Sequence, residues 1–155
     1  MKRRVALGLL LALLVPGVGD ARSPAITVSD AWSRPATEIA VVYAILRNDA
    51  ALPDRLIGAA SPLASHAGLH QTFTIAVPGM SPPPANVPMN GDLVSMKAVS
   101  SIPIPAHGTT MLAPGGYHLM LELRHDLRPG ETIPLRLHFA RAGWIVTRAQ
   151  VRPIR

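Results

Sequence analysis

The sequence has no cysteine, few aromatic residues (4%), few charges (15%) and only two lysines, Lys2 and Lys97. Each scarcity closes off a class of protein. Without cysteine there is no disulfide, thiol nucleophile, zinc–thiolate site or lipid-anchored N-terminal cysteine, and no thiolate for a blue-copper electron-transfer centre. With so few lysines and with the arginines scattered, no basic stripe exists to track a phosphate backbone, which argues against nucleic acid as a partner. No Gly-x-Ser-x-Gly elbow is present and the carboxylates are few and dispersed, so nothing supports hydrolysis. The first histidine is His66, which excludes a copper oxygenase built on an N-terminal histidine. These exclusions point to a protein that is not an enzyme.

What the chain does have is aliphatic bulk. Of 155 residues, 48% are hydrophobic, enough for one compact domain with an aliphatic core. The first stretch reads as an address. Lys2, Arg3 and Arg4 precede an apolar run, Val5 to Val18, and small residues then allow cleavage after Gly19 or Ala21, the pattern of a secretory signal peptide. That run is short for a membrane span. We therefore expect a cleaved signal over residues 1–21, a periplasmic location, and no stable membrane insertion of the remaining domain, residues 22–155. Removing residues 1–21 takes away three of the 15 basic and one of the 9 acidic residues, so 12 against 8 leaves a net charge of +4.

From Ile26 onward, short β-branched and aliphatic runs alternate with Pro, Gly, Asn and Asp, the pattern of an antiparallel all-β sandwich or small barrel. The expected strands are Ile26–Trp32, Ala40–Asn48, Arg55–Ser61, Gly68–Ile75, Leu93–Val99, Thr109–Leu112, Tyr117–Leu123, Thr132–Ala140 and Ile145–Arg152. Asn48 with Asp49, Pro114 with Gly115 and Gly116, Pro129 with Gly130, and Gly143 supply turns between them. Residues 77–91, VPGMSPPPANVPMNG, carry five prolines and read as a loop inserted at the sheet edge.

The strand Tyr117–Leu123 is the most informative. Alternation sends Tyr117, Leu119, Leu121 and Leu123 to the core and His118, Met120 and Glu122 to the other face. His118 and Met120 thus stand side by side, where imidazole nitrogen and thioether sulfur can converge on one ion. A His-x-Met tripeptide by itself is weak evidence, since a strand methionine more often packs. The chain, however, offers five further histidines and Met80, Met89, Met96 and Met111 besides. Thioether suits Cu(I) and not zinc, calcium or magnesium, and imidazole accepts copper in either oxidation state. A mixed His/Met site points to copper, and the small geometric demand of Cu(I) suits carriage better than turnover.

With PGGYHLMLEL at residues 114–123 and 21 residues between Met96 and His118, the chain resembles the periplasmic PCuAC-type copper chaperone family. That family's pattern is His, about ten residues, Met, twenty-one residues, then His-x-Met. His70 in GLHQT takes the place of the first histidine, with Gln71 where an acidic residue often follows. SDAWSRP, DRLIGAASP, PLRLHF and VTRAQVRPI match too, so the resemblance spans nearly the whole domain. It departs at one place, since 25 residues separate His70 from Met96, the excess being the proline-rich loop. Met80, with nine residues between it and His70, competes for the first methionine slot but would spoil the spacing to His118. What the resemblance implies is a cupredoxin-like fold and a monomeric carrier. It would hold one Cu(I) through His70, Met96, His118 and Met120 and pass it to the copper centres of a respiratory oxidase, while Cu(II) is left as an open alternative because imidazole accepts either state.

The other residues have plainer readings. His66 shares a face with His70 if its strand begins early, and is then either an auxiliary ligand or a solvated strand-edge histidine. Met80 and Met89 either line the copper approach or fill gaps in the insert. His107 reads as turn surface, His125 and His138 have no ligand-like neighbour, and Trp32 and Trp144 are expected to fill the two ends of the core, with Arg34 beside Trp32. Two rival functions remain. One is a zinc site of His66, His70 and His118; the other is an extracytoplasmic interaction module whose histidines and methionines are incidental.

Overall fold

Strict alternation shapes the strand Ile39–Asn48: Ala40, Val42, Ala44 and Leu46 point inward and are buried, while Val41, Tyr43 and Ile45 lie on the other face, half-buried. The same period-2 rule holds around the sheet. The computed structural model describes residues 25–75 and 93–153. The expected signal segment and the proline-rich loop, with Met80 and Met89, lie outside the described residues.

Ten strands form among them: β1 (Ile26–Ser33), β2 (Ile39–Asn48), β3 (Asp54–Ala60), β4 (Ala64–Ile75), β5 (Leu93–Ala98), β6 (Ile102–Ile104), β7 (Gly108–Leu112), β8 (Tyr117–Leu123), β9 (Thr132–Phe139) and β10 (Gly143–Val151). They make one sheet in the order β5-β4-β8-β7-β2-β1-β10-β9-β3-β6, with β8 also pairing β2. All pairings are antiparallel except β1 with β10 and β7 with β8. The sheet curls so that its inward residues meet in one aliphatic core, which includes Leu46, Leu56, Ile102, Leu119, Leu121, Leu135, Leu137 and Phe139. The all-β expectation holds, as a curled half-barrel.

Nine expected strands are present with ends shifted by at most a few residues, and β6 was not expected. Pro103 sits at its middle, which argues against a strand in sequence terms. The strand is nonetheless permitted because β6 lies at the end of the sheet order, where a missing donor costs no ladder bond. The tryptophans differ more. Trp144 is 48% exposed, its ring stacked on His138 at 4.3 Å with Arg136 over it. Trp32 lies half-buried on the outer face against Tyr43 at 4.8 Å, and Arg152 rather than Arg34 covers it. Neither fills the core. The core is closed by branched aliphatics and Phe139, and β-strand parity puts both indoles on the opposite face.

One buried carboxylate holds a corner. Asp54 accepts hydrogen bonds from the backbone N–H of Arg55 and Arg141 on Oδ1 and of Ala142 on Oδ2, the last two at 2.9 Å, fixing the β9–β10 turn against β3. Asp54→Ala would strand those donors. The expected cost is about 2–3 kcal/mol, read as a fall of several degrees in the apoprotein's thermal midpoint.

Candidate metal centre

The site begins with a turn. Gly116 N–H donates to the Ala113 carbonyl at 3.0 Å, closing a four-residue turn with Pro114 second and Gly115 third at φ 81°. This is the type II arrangement, which takes proline second and needs glycine third. It delivers the chain into β8 with the Gly116 carbonyl turned toward β4. That oxygen accepts two hydrogen bonds, from Thr72 N–H at 3.0 Å and from His118 Nδ1–H at 3.1 Å. The second fixes the tautomer: with the proton on Nδ1, Nε2 presents its lone pair.

Register then brings the candidates together. β4 and β8 run antiparallel with His70 directly opposite His118, Gly68 opposite Met120 and His66 opposite Glu122. β5 lies on the far side of β4, pairing Ala98 with His70 and Met96 with Thr72. Directly opposed residues share a face, so His70, His118, Met120 and Met96 all project from the same side of the sheet. His70 and His118 stack with ring centroids 5.9 Å apart and planes 17° from parallel. Met120 stands one row to one side of this pair. Met96 stands one row to the other side on the neighbouring strand and is 55% exposed.

The two imidazoles are the unusual feature. His70 Nδ1 and His118 Nε2 are buried from solvent and have no hydrogen-bond partner among the described residues. Buried polar atoms of this kind are rare and costly, and they call for a ligand. His118 is 2% exposed although parity puts it on the face away from the core. A row of rings running across neighbouring strands covers it: Trp32, Tyr43, His118 and His70, with the Tyr43 ring edge-on to His118 at 6.5 Å. Burial pushes the His118 imidazole below its ordinary pKa, against the opposing effect of the Gly116 carbonyl, and nearby His70 pushes it further the same way. The group is kept neutral, the form that binds metal.

Donor chemistry fits a soft ion. Two buried, unpartnered imidazole nitrogens on neighbouring strands, with thioethers on either side, suit Cu(I), whereas no group of three or more His, Cys, Asp or Glu side chains gathers among the described residues. The three-histidine zinc site is therefore not formed. Several participants had no signal in the sequence. Tyr43, the Gly116 carbonyl and Gly68 act through pairing between distant strands, and Met111 on β7 shares the site's face through its pairing with Ile45. His66 lies within β4, as the early-start reading requires, while His107 is exposed turn surface and His125 is exposed.

Known proteins carry the same frame. Residues 26–151 match the family described as putative lipoprotein LpqE-like. This chain belongs to the LpqE-like family. A putative lipoprotein of Leifsonia xyli subsp. xyli is 32% identical over 117 residues, and the matched region covers 74% of this chain but 62% of the relative's length. Among solved structures, the copper-bound PCuAC domain from PmoF2 is similar with a TM-score of 0.62 at 23% identity, covering 84% of this chain and 94% of that one. The solution structure of CuI-DR1885 from Deinococcus radiodurans is similar with a TM-score of 0.59 at 26% identity, covering 87% and 83%. The LpqE-like chain thus has the cupredoxin-like fold of PCuAC domains, and the resemblance seen in its sequence holds.

Proposed function

We propose that this LpqE-like protein is an exported copper chaperone. It binds one Cu(I) through His70, His118, Met120 and Met96, and it passes the ion to copper centres of a respiratory oxidase. The observation that carries the reading is the pair of solvent-shielded, unpartnered nitrogens on His70 and His118, stacked at 5.9 Å. Ring centroids this close bring both imidazoles within reach of one ion. Copper-bound PmoF2 and CuI-DR1885, which share the fold, support it. Export is supported by the basic and apolar N-terminal residues and by the putative lipoprotein relative, although the thiol that would carry a lipid has no counterpart in a chain without cysteine.

The geometry suits carriage. His118 is held neutral and oriented before the ion arrives, so binding requires neither a proton loss nor a tautomer change at that residue. The thioethers neither titrate nor bring charge, so the ion stays exchangeable. Nothing in the site activates water or a nucleophile.

X-ray absorption on the Cu(I)-loaded protein should show mixed nitrogen and sulfur coordination. Met96→Leu, which keeps volume and removes sulfur, should weaken Cu(I) binding in a competition titration while leaving the thermal midpoint nearly unchanged, because the side chain is exposed. Should Met111→Leu do the damage and Met96→Leu none, the second thioether belongs to β7 and the assignment of Met96 is wrong.

A further inference from the structure

His66 lies in a part of β4 whose geometry the four-ligand reading does not use. A bulge between Ala64 and His66 sets the register so that His66, Gly68 and His70 follow one another on the site's face. Between the two histidines the face is empty, because residue 68 has no side chain. A Cβ built there would lie 2.8 Å from His70 Cε1, 3.4 Å from His70 Nδ1 and 3.6 Å from His66 Nε2. Both imidazoles lean over the same bare stretch of backbone, each presenting a nitrogen to it. Met120 stands directly opposite Gly68 on β8, and these residues, with Glu122 and Ile57, line a cavity of about 400 Å³ open at the rim.

We infer that His66 is an exit ligand, which with His70 and Met120 forms an outer copper position over Gly68, reached from the His70–His118 position as the ion leaves. The inference rests on the copper reading above. His118 is buried and His66 exposed, so the two positions share His70 and Met120 and differ in their access to a partner. In the step, the bonds from Cu(I) to His118 Nε2 and to the Met96 sulfur break and one to His66 Nε2 forms. The bonds to His70 and Met120 persist, the ion keeps its charge, and no electron or proton moves. A recipient's donor then displaces His66 at the surface. A side chain at position 68 would push the His70 ring aside and block the step.

The test separates equilibrium from exchange. Purified protein would be loaded with Cu(I) under anaerobic conditions. Its affinity would be measured by competition, and the rate at which excess Cu(I) chelator strips the ion by rapid mixing, for wild type, His66→Gln, His66→Met and His118→Leu. In His66→Gln, affinity should stay within about threefold of wild type while copper removal slows about tenfold, the lower end of what losing a supporting group at a metal site costs. His66→Met should restore the rate, since a thioether also accepts Cu(I). Removal from His66→Gln at the wild-type rate overturns the inference, and so does a loss of affinity as deep as in His118→Leu, which would put His66 in the resting coordination shell. Wild-type affinity in His118→Leu would instead sink the copper reading itself, and the exit ligand with it.

Discussion

Replacing His118 by leucine should abolish tight Cu(I) binding while leaving a folded protein. The expected loss exceeds 100-fold, since removing a group that merely supports a metal ligand already costs about 10–100-fold. His118 is the better oriented of the two imidazoles, with Nδ1 tied to Gly116 and Nε2 free. Leucine is the informative substitute because the side chain is almost fully buried and alanine would add a cavity to the lost ligand. With leucine, nearly all the loss should fall on copper. Competition against a chromophoric Cu(I) chelator, beside a melt of the apoprotein, checks both halves. Undiminished binding in a folded His118→Leu protein would remove β8 from the site.

The second large effect is on pH. In the folded protein the His118 pKa lies below the ordinary imidazole value near 6.5. The unfolded chain therefore takes up a proton at this residue before the native state does, and native stability rises with pH in that interval. The contribution is present above about pH 6.5. It is lost as the pH falls from there through the depressed native value, because the buried ring must be charged. Copper binding follows the same direction, since a proton and Cu(I) compete for Nε2, but His118 stays competent to lower pH than a solvated histidine. Melts of the apoprotein between pH 7.5 and 5 should show declining stability, and His118→Leu should flatten part of that slope. An identical slope in the variant would mean that His118 is not the buried neutral group described.

Much of this was legible in the sequence because period-2 alternation is local. The strand Tyr117–Leu123 was read with its observed ends, its leucines pointing inward and His118 beside Met120. What local pattern does not carry is register between strands far apart in sequence. That His70 sits opposite His118, and Gly68 opposite Met120, depends on how β4 meets β8 across the loop and three further strands. Parity correctly placed His118 on the outer face but could not show that Tyr43 from β2 would cover it. The same limit explains the tryptophans: a large apolar ring reads as core, whereas Trp32 and Trp144 pack against polar rings and arginines on the outer side. β6 failed for a different reason, since proline is disfavoured in strands except at an edge, and edges are known only once the sheet is assembled.

The shielded nitrogens of His70 and His118 also set a conflict between robustness and use. Each unmet buried polar atom costs on the order of 1–3 kcal/mol, so the empty protein carries a penalty that an apolar pair at those positions would not. Selection for folding alone would replace both rings, and a chain drifting toward greater thermal resistance at this spot would lose its cargo. On the copper reading proposed above, an ion bonded to both nitrogens would repay the penalty, so part of its affinity would be relief of a fault already present in the apoprotein. The apoprotein would then be the less durable form, tying the lifetime of the protein to the supply of the metal.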